Sequence, residues 1–400
     1  MWAGRLREWP TRLLLLTMAV ALAACTVRPA PPPPYTAPAP TLAPRATLTV
    51  RPPAIRSATA TRSPTPPPSA TASATPTPTT TPVSLQSAEQ IAFVMKHGET
   101  TDLYLMGADG SEPTLLLAEV AGSPQWSPDG SAIAVFHRNL SDEWNLSVIH
   151  ADGTGLRDVI SERDYKVWFG PVWSPDGQGL LFSATVANTE QLFRAGADGS
   201  GVRQLTEAGG LEAAWSPDGS KIVFASIRDG GRALYMMNAD GTDQVLLNAP
   251  IDCLEYGLHW SPDGRLIAYT AECDVDLKEE LYIISPDGSG RRQLTEELGV
   301  WTDFSWSPDS RSIAFGSMSD NNHLFVVDVD SGAVAQLDAE EGAFFYPPQW
   351  SPDGQSLVFE AWIRPIRNFE LYTLELASLT LRQLTSFESE GGAAWPSWRP

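Results

Sequence analysis

Three cysteines and five histidines in 400 residues leave this chain few metal-ligating or redox side chains. The cysteine spacing matches no metal or redox motif. His-Glu-x-x-His, a phosphate-binding glycine loop and a dinucleotide fingerprint are all missing, so zinc-hydrolase, nucleotide and nicotinamide chemistries have no sequence support. Gly-x-Ser-x-Gly is missing too, which removes the nucleophile elbow of a serine hydrolase. No segment carries a helical hydrophobic period. One stretch lacks acids altogether: residues 26–87 hold five arginines, no Asp or Glu, and otherwise mostly Pro, Thr, Ala and Ser. That composition has too little apolar surface to build a core, and its prolines keep it extended as a semi-rigid stalk. At roughly 3 Å per residue it reaches on the order of 100 Å or more.

The stalk follows a processing signal. Arg5, Arg7 and Arg12 precede an apolar run from Leu13 to Leu22, too short to span a membrane comfortably. The run ends in Leu22-Ala23-Ala24-Cys25, which resembles the bacterial lipobox. The resemblance implies a signal peptide over 1–24 and Cys25 as the lipidated first residue of the mature protein. Residues 25–87 then form an anchored, disordered stalk and 88–400 the folded domain. Acyl chains on Cys25 would hold an exported protein on the outer side of the cell membrane.

Charge divides with these segments. The first 87 residues carry eight arginines and one glutamate, so 19 basic and 47 acidic side chains remain for 88–400, a net of −28. A basic stalk suits anionic lipid, whereas so acidic a domain is a poor partner for nucleic acid. The acidity serves solubility or a charged recognition surface.

Six copies of Trp-Ser-Pro-Asp begin at Trp126, Trp173, Trp215, Trp260, Trp306 and Trp350, and five are followed by Gly. A degraded seventh, Trp398-Arg399-Pro400, ends the chain. A period of 42 to 48 residues with strand-like content describes propeller blades. In one copy, Leu211–Trp215 reads as an inner strand and Ser216-Pro217-Asp218-Gly219 as a type I turn. A second strand follows at Lys221–Ser226, a third at Ala233–Met237, an Asp240-Gly241 turn and an outer strand at Gln244–Leu247. Seven second strands recur, the first at Ile91 with no motif ahead of it, while the last motif has no second strand behind it. The C-terminal strand near Trp395–Trp398 therefore completes the first blade, which leaves no open sheet edge at the seam. The expected fold is an all-β, seven-bladed β-propeller, with six blades as the alternative. Cys253 and Cys273 flank one motif, and their numbers sum to 526. A hairpin turning at Pro262-Asp263 pairs residues summing to about 525, with a bulge able to shift this by one, so a structural disulfide is expected.

Trp-Ser-Pro-Asp-Gly followed by Ile-Ala-Phe, Leu-Tyr, Asp-Gly and Gln-Leu-Thr resembles the TolB-type β-propeller repeat, over nearly all of 88–400. The prototype of that family has six blades and a separate N-terminal domain, so its partners do not transfer to a chain with a stalk in that place. Residues common to every blade read as blade-builders: Trp packs between sheets, and Pro, Asp and Gly form turns.

Function is expected where repeats differ, in connections that share one face around the central channel. Tyr165, Trp168, Glu212, Glu255, Tyr256, Trp301, Asp303, Phe304, Phe345, Tyr346 and Trp362 are the candidates for this funnel. Aromatic planes beside carboxylates can hold sugar rings, basic peptides or an organic cation. The leading expectation is a non-catalytic, membrane-tethered, monomeric propeller binding a protein, peptide or glycan, with no cofactor. One alternative is a metal-dependent polysaccharide lyase, because oligogalacturonate lyases resemble this architecture and place a histidine-rich manganese site in the funnel. Its ligands here would come from His97, His137, His259 and His323. A scaffold subunit of an envelope complex is the other. Asp328-Val329-Asp330-Ser331-Gly332 and Asp274-Val275-Asp276 hint at Ca²⁺ but fall short of a ligand set and read as turns.

Overall fold

In six sheets a Trp-Ser-Pro-Asp copy turns the chain from the innermost strand into the next strand, and one more sheet joins the two ends of the described chain. The computed structural model describes residues 89–400 except 98–99, 140, 142, 162, 249–253, 273–277, 318–322, 338–343, 346–347, 363–367 and 387–390. Every regular element among the described residues is a β-strand. Six sheets have four antiparallel strands. The seventh has a broken inner strand, Phe344–Phe345 and Gln349–Trp350.

The inner strands of blades one to six are Gly391–Trp398, Val120–Trp126, Val167–Trp173, Ala213–Trp215, Leu254–Trp260 and Val300–Trp306. Each contacts the next, and blade seven contacts blade one, so the ring closes on itself around a central channel. Blade one joins the chain ends: Gln90–His97 pairs with Gly391–Trp398 in antiparallel register, Ile91 opposite Trp398. Seven blades, not six, and closure by the C-terminus are thus the observed architecture.

Second strands are sandwiched between neighbouring blades, which explains their unbroken apolar runs. Ile91, Ala92 and Phe93 are fully buried, as are Ile222, Val223 and Phe224. The motif itself is used up in building the ring. Ser127 Oγ donates to Asp129 Oδ1 at 2.6 Å and accepts from the Ala132 amide, while the Ser131 amide donates to the same carboxylate at 3.0 Å. The following Gly130 has φ +65°. In the copy without glycine, Ser310 takes that conformation at φ +63°, and its hydroxyl accepts from the Asp263 amide of the preceding blade at 3.0 Å.

Tryptophan does more than pack. Trp126, Trp173, Trp260, Trp306 and Trp350 each donate Nε1–H to the carbonyl of the residue that precedes the motif tryptophan in the previous blade, at 3.0–3.3 Å. Trp215 and Trp398 lack this bond. At the rim, Arg157 and Arg382 reach from outer strands to carbonyls beside the Asp-Gly turn of the next blade, Ala197 and Asp109. Those turns lie hard against the neighbour: a Cβ on Gly288 would sit 2.2 Å from the Leu247 carbonyl oxygen.

Cys253 and Cys273 lie outside the described residues. Their hairpin runs in register from Trp260 opposite Ile267, shifts by one between Tyr256 and His259, and ends with Leu254 opposite Glu272.

Candidate functional site

Position relative to the motif tryptophan decides what reaches the channel. The residue two before it is buried in every blade: Pro124, Pro171, Ala213, Leu258, Phe304, Pro348 and Pro396. The residues one and three before it are, Ala214 and Ser397 excepted, at least partly exposed among those described. In five blades the inner strand bulges here, because extra residues oppose the second strand just before the tryptophan. A bulge re-aims side chains and tolerates proline, which fits Pro124, Pro171 and Pro396. Of the residues at these two positions, His259, Asp303 and Trp395 are the exposed ones among those described.

The candidates separate on this rule. Asp303 is exposed and Glu212 partly buried. Phe304 is buried in the core between blades five and six, with its ring 5.0 Å from that of His259. The pleat that exposes Asp303 buries its successor. Tyr165 packs edge-on against Phe182 and Phe193 as a plug between blades two and three, and leaves the funnel. Trp362 is half-buried at the end of a second strand in blade seven. The side chains of Trp168, Glu255, Tyr256, Trp301 and Phe345 lie outside the described residues, as does Tyr346. Trp395 was not among the expected site residues. Counting back three from each motif tryptophan is the signal that finds it.

A polar cluster joins blades three to five. Glu212 accepts from Arg232 at 3.3 Å and, through its other oxygen, from the Gly257 amide at 2.7 Å. Burial pushes the Glu212 carboxyl above its usual range against the pull of Arg232. Burial likewise raises Glu190, again opposed by Arg232. Glu279 is pushed up to about 7, chiefly by burial and further by the charges of Glu272 and Glu212, while a hydrogen bond from Thr270 acts the other way. One guanidinium thus serves several carboxylates. His259 keeps solvent contact on the wall yet is crowded by protein, and desolvation holds its imidazole below the ordinary value, with Asp303 opposing.

The four histidines considered as ligands sit on different blades. The His137 ring is partly buried, its Nδ1 lacks a hydrogen-bond partner among the described residues, and burial lowers its pKa. His323 stands edge-on to Phe325 at 6.3 Å. The side chain of His97 is outside the described residues. Among the described residues no three His, Cys, Asp or Glu side chains converge as a metal ligand set. Asp328 accepts from the Ser331 amide and hydroxyl at 2.8 and 2.6 Å, so that segment is an ordinary turn. Asp274 and Asp276 are outside the described residues. A cleft of about 350 Å³ lies between the motif turns of blades two and three, but Asp129 and Asp176 there are occupied by their own turn serines.

Comparison with known proteins fits this geometry. The family model described as the TolB beta propeller domain matches residues 86–271 and 249–400. The Tol-Pal system protein TolB of Anaeromyxobacter dehalogenans (strain 2CP-C) is 33% identical over 121 residues, 30% of this chain and 27% of that protein. The match spans about a quarter of the length of such curated relatives. Among solved structures, the β-propeller domain of the Trilobed protease from Pyrococcus furiosus has a TM-score of 0.58 at 14% identity, over 75% of this chain and 95% of that one. Oligogalacturonate lyase from Vibrio parahaemolyticus has a TM-score of 0.54 at 14% identity, over 67% and 82%. Identities this low speak for the fold alone. With the family model running from the first blade to the last, this chain belongs to the TolB β-propeller family.

Proposed function

We propose that this chain is a non-catalytic, lipid-anchored propeller that works outside the cytoplasmic membrane and binds a protein, peptide or glycan at the mouth of its channel. One observation carries the reading. Residues repeated from blade to blade are consumed by turns and inter-blade bonds, while Glu212, His259, Asp303 and Trp395, on the inner strands just before the motif, differ between blades and keep solvent contact. Unlike groups converging in one concave place are what a specific site requires. The lipobox-like Cys25 and the Pro/Thr stretch support a membrane tether.

The test is affinity capture with the full chain in detergent, beside a Glu212→Gln/Asp303→Asn variant. Loss of a captured protein, peptide or glycan in the variant supports the reading, and capture indifferent to every channel substitution removes it. Stoichiometric manganese that disappears with His259→Ala would favour the lyase alternative instead.

A further inference from the structure

Trp395 breaks the pattern of the wall. Three residues before the motif tryptophan, the other described blades carry Ser123, Gly170, Glu212, Gly257 or Asp303. Trp395 is 46% exposed at that position, and its backbone is left-handed at φ +49°. That region favours glycine, and a bulky side chain is seldom found there. The bulge holds it: Trp395 and Pro396 together oppose Phe93. The Trp395 amide also donates to Glu360 of blade seven at 3.4 Å. A large indole that is strained and open to solvent contributes little to packing, and such outliers gather where a ligand is held.

We propose that Trp395 is the stacking platform for a cationic side chain, Lys or Arg, of a peptide that enters the channel. This rests on the reading that the mouth is a binding site, and it names the chemistry of what binds there. Indole is the best aromatic partner for a cation. Asp303 holds the same position two blades along the ring, exposed and without an ion pair among the described residues. Arg232, a cation already at the mouth, is tied to Glu212 and so leaves Asp303 free for an incoming one. A net charge of −28 over 88–400 attracts cations and repels anions over longer range. A sugar ring would stack on the same indole, but it gains nothing from that field.

The experiment uses the full chain in detergent and a fluorescent hexalysine peptide, with a neutral chito-oligosaccharide as the second probe. Trp395→Gly removes the ring and suits the backbone conformation, so the fold is kept, and thermal unfolding checks this. Trp395→Phe retains an aromatic face. Hexalysine should bind in a salt-dependent way, weaken at least about fivefold with Trp395→Gly, and change less with Trp395→Phe. Equal hexalysine binding by the wild type and Trp395→Gly overturns the platform. If Glu212→Gln/Asp303→Asn still weakens that binding, the site at the mouth stands without it. Oligosaccharide binding lost in Trp395→Gly, with no hexalysine binding, overturns the cation and keeps the site. If neither probe binds and no captured partner responds to any channel substitution, the binding site itself is refuted.

Discussion

The indole Nε1 of Trp126 donates to the carbonyl of Ser397 at 3.1 Å, across 271 residues of chain. It ties blade two to the strand that completes blade one, and Arg399 lies over the same indole, 5.6 Å from its centre. The Arg399 amide and guanidinium then bond the carbonyl and side chain of Gln90 at 2.8 and 2.9 Å. The last residues are therefore part of the closure.

Replacing a bonded tryptophan by phenylalanine keeps an aromatic ring but removes the hydrogen bond between blades. Trp173→Phe should therefore cost about 1 kcal/mol more than Trp215→Phe, whose Nε1 has no partner to lose. Urea unfolding of the two variants compares them directly. Equal losses would mean that the inter-blade bond contributes nothing.

Hydrogen bonds from Ser127 and Ser131 hold the Asp129 carboxyl below its usual range, from 3.8 to about 2. Asp176 and Asp218 are lowered for the same reason. A depressed carboxyl pKa contributes stability that is present above about pH 4 and lost as pH falls through about 2. Denaturant midpoints should drop over that interval, and Asp129→Asn should flatten the drop. A midpoint level from pH 5 to pH 2 contradicts the assignment.

Glu360 is buried and pushed up to about 7 by desolvation, opposed by the Trp395 amide. The unfolded carboxyl titrates near 4.5, so the fold favours the protonated form. Stability from this group is full below about pH 4.5 and declines as pH rises towards 7. Glu360→Gln should accordingly be more stable than wild type at pH 8 and not at pH 4, as measured by thermal unfolding. A gain of the same size at both values would point to packing rather than to charge.

Cys253 and Cys273 follow a ladder whose last described pair is Leu254 opposite Glu272. We expect a disulfide, so that alkylation changes the intact mass at these residues only after reduction. Cys253→Ser should cost about 3 kcal/mol. Both thiols reacting without reductant would remove the bridge.

Much of this molecule could be read in advance. Blade number, the turns at Asp129-Gly130 and Asp240-Gly241, and closure through Trp398 all followed from local chemistry repeated at one period. The site was only half legible. Asp303 and Phe304 are adjacent in sequence, yet one is exposed and the other fills the core. Tyr165 looked like a funnel aromatic until Phe182 and Phe193 enclosed it. Trp395 looked like part of a closing strand, and its exposure depends on a bulge opposite Phe93.

The ring is legible in the repeat alone: the motif turn needs only near neighbours to form, and six copies of it with a degraded seventh mark blades that must share their apolar faces. The tertiary structure decided which side of each inner strand meets the axis. Strand faces alternate residue by residue, and a single bulge reverses them, so the register of each inner strand on the second strand of its own blade left His259, Asp303 and Trp395 exposed while Phe304 is buried.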